Sequence, residues 1–207
     1  MCTENVRAYG AEMEIRHVEL TAESVKVLAH PLRSRLLSQL RRGGPATATA
    51  LAAALRTNSG ATSYHLRRLE GVGLVVDTGR GRGKERLWAA STESHGWRNS
   101  AFADDEDART AMSWLEREYQ RTYDQRFNDW IDVADTWPAA WQDALGLEDT
   151  WVTVTPEQLV ALKAEIEAVV LRYHEAGAGD PRARRIALYR TSMPLDAELA
   201  PPTEDEP

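Results

Sequence analysis

Residues 57 to 76 read TNSGATSYHLRRLEGVGLVV, and this stretch constrains the fold more than any other. In its first half Thr62, Leu66 and Leu69 fall on one side at helical spacing, leaving Ser59, Gly60, Ser63, Tyr64 and Arg67 on the other. Its second half passes through Gly71 and Gly73 into Leu74, Val75 and Val76, which begin a strand. A helix this short is not stable alone in water, so neighbouring elements must supply the core beneath it.

Those neighbours are legible upstream. Thr21 is a plausible N-cap for a segment running through Val25 and Leu28 to His30, where Pro31 starts a new helix. Leu32, Leu36, Leu37 and Leu40 then share one face, and Gly43, Gly44 and Pro45 stop it. Thr47 or Thr49 can cap a short alanine-rich helix ending near Leu55. The turn Arg56, Thr57, Asn58 leads into the helix predicted from Ser59 to about Gly71, which makes a helix-turn-helix. Downstream, Leu74 to Thr78 and Lys84 to Ala90 are predicted as two strands around the tip GRGRG, a basic hairpin wing.

Charge is distributed to match. The 207-residue chain carries a formal net charge of -7, yet residues 21 to 90 hold 12 Lys and Arg against 4 Asp and Glu, a local +8. The remainder holds 13 against 28, a net of -15. Polyanion binding follows the local field, because screening acts over about 8 Å at physiological salt. A basic module in an acidic chain is therefore compatible with DNA. An apolar content of 43% and a charged content of 28% are those of a globular protein. No run approaches a membrane span and the N-terminus has no apolar leader, so a cytoplasmic location is expected. The single cysteine, Cys2, excludes an internal disulfide and an intrachain thiolate cluster.

The sequence LAHPLRSRLLSQL, then LAAAL, then TSYHLRRLEGVGLV and a glycine-rich basic hairpin together resemble the ArsR-type winged helix-turn-helix repressors. The resemblance covers about 70 of the 207 residues. It implies a helix laid in the major groove, with Ser59, Gly60, Ser63 and Tyr64 facing bases or adjacent phosphates. Thr62, on the helix's inner side, is counted in the same DNA-binding set. Arg67, Arg68, Arg80, Arg82, Lys84 and Arg86 suit phosphates, and a wing arginine could enter the minor groove. His65 is read as a packed or capping histidine, His30 as a junction residue, and Arg41 and Arg42 as a solvated helix end.

Metal sensing, common among ArsR-type proteins, does not carry over. The positions of the paired cysteines hold Thr47 and Thr49, and the histidines stand only at 17, 30, 65, 95 and 174. No metal and no cofactor is expected. Catalysis is not expected either: Glu165 and Glu167 lie on different helix faces, and no nucleophile or phosphate loop accompanies them and His174.

From Asp104 a long helix is predicted to about Asp135, with Leu115, Tyr119, Tyr123, Phe127, Trp130 and Ile131 at three- and four-residue steps. WVTV at 151 to 154 and RRIALYRTSM at 184 to 193 read as strands. Between them Thr155, Pro156 and Gln158 open a helix with a stripe of Leu159, Leu162, Ile166, Val169, Val170 and Tyr173. Trp114, Tyr119, Tyr123, Phe127, Trp130, Trp137, Trp141 and Trp151 are core or dimer interface on one reading, and an apolar effector pocket on another.

The expected fold class is mainly α with a small β component: a winged helix-turn-helix followed by a helical dimerisation and α+β C-terminal region. Its expected parts are an N-terminal segment (1–20), the winged helix-turn-helix (21–92), a dimerisation or effector region (104–194) and a disordered acidic tail (195–207). The expected partners are a palindromic double-stranded DNA operator, a second copy of the chain and a small apolar ligand. The alternative is a winged helix that binds protein, which would call for acidic or apolar side chains where the second helix carries Ser, Tyr and Arg.

Overall fold

The computed structural model describes residues 16–81, 83 and 85–200. The chain divides into two compact units, Met1–His174 and Glu175–Pro207. In the first, β1 (His17–Glu19) leads to α1 (Ala22–Leu28), α2 (Pro31–Gly43), β2 (Ala46–Thr47), α3 (Ala48–Ala54) and α4 (Ser59–Glu70). There follow β3 (Val75–Asp77), β4 (Leu87–Ala90), β5 (Ser94–Gly96), α5 (Glu106–Ile131), α6 (Ala139–Ala144) and α7 (Pro156–Tyr173).

Local chemistry sets the helix ends. The hydroxyls of Thr21, Thr47 and Thr155 accept from the backbone N–H groups of Ser24, Ala50 and Gln158, so the predicted caps are in place. Gln158 returns the bond to Thr155 N–H, completing a capping box. His30 caps α2 with Nδ1, which accepts from Leu32 N–H at 3.1 Å, and Pro31 takes the first turn. Gly44 ends α2 at φ 77°, a left-handed conformation that costs glycine little.

The core gathers Val25 and Leu28 of α1, Leu36, Leu37 and Leu40 of α2, Leu51 of α3, and Leu66 and Leu69 of α4. Leu74, Val75 and Trp88 add the sheet side, Phe102 adds the 3-10 turn Asn99–Phe102, and Ala108, Met112 and Leu115 add the start of α5, which packs on α1. An antiparallel sheet runs β2-β4-β3, pairing Ala46 with Trp88 and Val75 with Ala90. A second sheet, absent from the sequence reading, pairs β1 with β5 in parallel, His17 opposite Ser94.

Several expectations change. The hairpin strands are shorter than predicted, Val75–Asp77 and Leu87–Ala90, and the described residues between them lie in no strand. Among the described residues no strand follows Gly96, so 151–154 and 184–193 are not strands and the C-terminal region is not α+β. Both segments have β-forming side chains, but propensity without a partner edge gives no ladder. The long helix ends at Ile131 and a short 3-10 turn, Ala134–Thr136, follows. In the second unit the described residues form neither helix nor strand, and Arg182 pairs with Asp180 at 2.7 Å. The end of the acidic tail, 201–207, and Cys2 lie outside the described residues.

Candidate nucleic-acid interface

The geometry of α4 follows from its two faces. Leu66 and Leu69 are fully buried against the core and fix the helix, while Ser59, Gly60, Tyr64, Arg67 and Arg68 are exposed and Ser63 is half-buried. Asn58 holds the N-terminus: its side-chain oxygen accepts from Ala61 N–H at 2.7 Å. Thr62 is a correction to the DNA-binding set. It is fully buried and its hydroxyl donates to the Asn58 carbonyl at 2.9 Å, so it ties the first turn together and cannot reach a base.

The turn before α4 places Arg56 at φ 52°, a left-handed conformation that side chains rarely adopt, and it points the chain sharply from α3 into α4. Arg35 donates to the Leu55 carbonyl beside that turn at 3.3 Å.

On the wing, Gly81 allows a close approach, because a Cβ there would stand 1.8 Å from the Glu85 carbonyl oxygen. Arg80 is exposed, whereas Arg82 and Lys84 lie outside the described residues. Arg86 is engaged within the protein. It pairs with Asp77 at 3.5 Å and Glu70 at 3.8 Å, and its guanidinium stands 5.7 Å from the Trp88 ring centre. A recess of about 210 Å³ lies between wing and helix, lined by Ser59, Ser63 and Arg67 of α4 together with Glu85, Arg86 and Trp88.

Electrostatics separate this surface from the rest. Arg33, Arg35, Arg56, Arg67, Arg68 and Arg80 form no ion pair with a described carboxylate. Lys26, Arg98 and Arg121, by contrast, are each paired, with Asp105, Glu19 and Glu118. Unpaired guanidinium groups around a polar helix face give a positive field directed outward. Arg33, Arg35 and Arg56 were missed as surface cations, although the local charge count already contained them.

Behind the helix, the His65 ring lies 4.5 Å from that of His30, and its buried Nδ1 has no hydrogen-bond partner. Burial, and then neighbouring positive charge, lower the pKa of both rings, so each is held neutral.

Arg41 is the second correction. It is not a solvated helix end: its guanidinium donates to the Thr92 carbonyl at 2.9 Å, to the Thr92 hydroxyl at 3.1 Å and to His95 Nδ1. His95 Nε2 in turn meets the Tyr119 hydroxyl at 2.9 Å. Burial is the main cause that brings Arg41 down to about 10 and His95 down to about 3, and it raises the Tyr119 phenol. This chain links the end of α2, β5 and α5.

The aromatic residues of the C-terminal half form two groups. Tyr119 stacks on Tyr123 and is tilted against Trp97, while Trp137 stands edge-on to Trp130 at 5.3 Å and to Trp141 at 6.0 Å. Trp114 packs against the core and Phe127 is half-buried. Trp151 is 70% exposed, which removes it from any core. Among the described residues no three His, Cys, Asp or Glu side chains are grouped to hold a metal, and no helix is long and apolar enough to cross a membrane.

Residues 28–78 match a family model described as a helix-turn-helix domain. The match runs from the end of α1 to the start of the wing loop, so the helix-turn-helix expected there is borne out. Such a domain is the DNA-binding unit of transcriptional regulators. No curated protein matches the chain. One solved structure with similarity is the homodimeric winged helix-turn-helix DNA-binding domain (fragment 1–100) of a Mycobacterium bovis protein described as a possible ArsR-family transcriptional regulator. It is 29% identical, with a TM-score of 0.31, and the match covers 35% of this chain and 64% of that one.

Proposed function

We propose that this chain is a transcriptional regulator that binds double-stranded DNA in a sequence-dependent way, as a homodimer, and represses. The observation that carries the reading is the outer face of α4, where exposed Ser59, Gly60, Tyr64, Arg67 and Arg68 sit on a rigidly buried base with no described carboxylate paired to either arginine. Short side chains at the N-terminal end of a helix let the backbone approach base edges in the major groove. Ser59, Gly60, Ser63 and Tyr64 take the bases and nearby phosphates. Arg67, Arg68 and Arg80, with Arg82 and Lys84, take the backbone. Arg86 reaches DNA only by giving up its pairs with Asp77 and Glu70.

One such module contacts a short site, so two copies on a palindrome, with recognition helices about 34 Å apart, complete the operator. The second half of α5 supports the dimer: Phe127 and Trp130 are half-buried and Ile131 is 54% exposed in the single chain. The tryptophan group around Trp137 is the candidate seat of an apolar effector that releases DNA. The reading assigns no catalysis and places the protein in the cytoplasm.

Selection of bound genomic fragments by the purified protein tests the reading. An enriched palindrome, with affinity lost in Arg67→Ala and Arg82→Ala, is expected. No enriched sequence, together with unchanged binding in both variants, would favour a protein-binding winged helix. Sedimentation is expected to give a dimer at micromolar concentration, and a tryptophan fluorescence screen should find an apolar ligand.

A further inference from the structure

The wing flanks one stripe of α4, and a second recess flanks the next. It has a volume of about 460 Å³ and is lined by Ala22, Glu23, Lys26 and Val27 of α1, Arg33 of α2 and Arg68 of α4. Lys26 is committed to Asp105 at 2.8 Å. Arg33 and Arg68 are paired with no described carboxylate.

Arg33 is half-buried, and its Nε–H donates to the Val27 carbonyl, which fixes the direction of its terminal nitrogens. Burial, then the charge of Arg68, lowers its pKa, while Tyr64 acts in the opposite sense. Arg33 therefore stands within electrostatic reach of both residues. Tyr64 and Arg68 are one helical turn apart on the exposed side of α4, so the recess borders the surface that the helix offers to DNA. Two guanidinium groups held near one another repel, and an oxyanion between them turns that repulsion into charge-assisted hydrogen bonds.

We propose that Arg33 and Arg68 clamp one phosphate of the DNA backbone on the α1–α2 side of α4, so that the recognition helix is held from that flank as well as from the wing. The clamp rests on the DNA-binding reading above. A duplex phosphate fits this recess better than a free anion does. Apart from Lys26, whose charge is met by Asp105, the rest of its lining is apolar Ala22 and Val27 and the carboxylate of Glu23, which repels a mobile anion. A phosphate delivered by helix docking is placed beside the arginines regardless.

The test is the salt dependence of binding, between about 50 and 200 mM, to a selected duplex and to random DNA. Arg33→Gln is expected to flatten the slope of log affinity against log salt by about 0.9, which is about threefold less loss over that range, on both sequences. Arg33→Lys is expected to keep the wild-type slope. A purely structural role would change the active fraction or the melting temperature and leave the slope alone.

A wild-type slope in Arg33→Gln beside a flattened one in Arg80→Gln would overturn the clamp and leave the DNA reading standing. If the wild-type protein bound no duplex at any salt, the reading itself would fall and the clamp with it. Inorganic phosphate, titrated into the DNA-free protein at constant ionic strength, is expected to leave the Arg33 Nε–H resonance in place. Saturation at low millimolar phosphate would assign the recess to a free phosphate species instead.

Discussion

The winged helix-turn-helix and the C-terminal helices use apolar residues differently. In the first, Leu28, Leu36, Leu66 and Leu69 are wholly buried, and the exposed face of α4 is polar and cationic. In the second, α7 leaves Val160 68%, Val169 44% and Tyr173 71% exposed, and Trp151 stands out at 70%. The reading head closes its core with its own residues and the start of α5. The C-terminal half displays an apolar surface that the single chain does not cover, as expected of a region whose proposed work is association and effector binding.

Stability measurements sharpen this contrast, and the largest effect belongs to the core. Leu66→Ala is expected to cost about 2 to 5 kcal/mol, whereas Val160→Ala at low protein concentration should stay within about 0.5 kcal/mol. Chemical denaturation of both variants checks this, and comparable losses would erase the distinction.

The Arg41, His95 and Tyr119 chain joins the two regions, and acid should loosen it. Burial holds His95 down to about 3 in the folded protein, against an ordinary value near 6.5, so the neutral ring's contribution is complete above that ordinary value. It falls as pH drops from 6.5 toward 3, by up to about 1.4 kcal/mol per pH unit, because the unfolded state then binds the extra proton. The difference in acid sensitivity between the wild-type protein and His95→Gln isolates this group from the carboxylates. Equal pH profiles would show that the ring is not held neutral.

Asn58→Ala should cost about 1 kcal/mol through loss of the cap on α4, with a matching drop in the melting temperature. Arg86→Ala is expected to change stability by under about 1 kcal/mol, since its ion pairs with Asp77 and Glu70 are solvent-accessible. Together these place the fold's dependence in the packed base of α4 rather than in its charged rim.

What could be read from the sequence was local. The caps at Thr21, Thr47 and Thr155 act over three residues, and the stripe of α4 repeats within one helix. What could not be read was long-range. The pairing of β1 with β5 joins residues 77 apart, as the His17 and Ser94 hydrogen bond shows. Arg41 resembles any helix-end cation until Thr92 and His95, 51 and 54 residues on, fold over it. Arg86 counted toward the +8 of the reading head, yet its carboxylate partners come from α4 and β3. The segment 151–154 has the side chains of a strand and no edge to pair with, and composition alone does not reveal that.

The most direct test of the division between reading head and C-terminal helices is backbone NMR of the isotope-labelled chain titrated with a selected duplex. Shifts concentrated in Ser59 to Arg68 and the wing loop, with α7 unmoved, are the predicted result. Shifts confined to α5, α6 and α7, with the outer face of α4 silent, would contradict it.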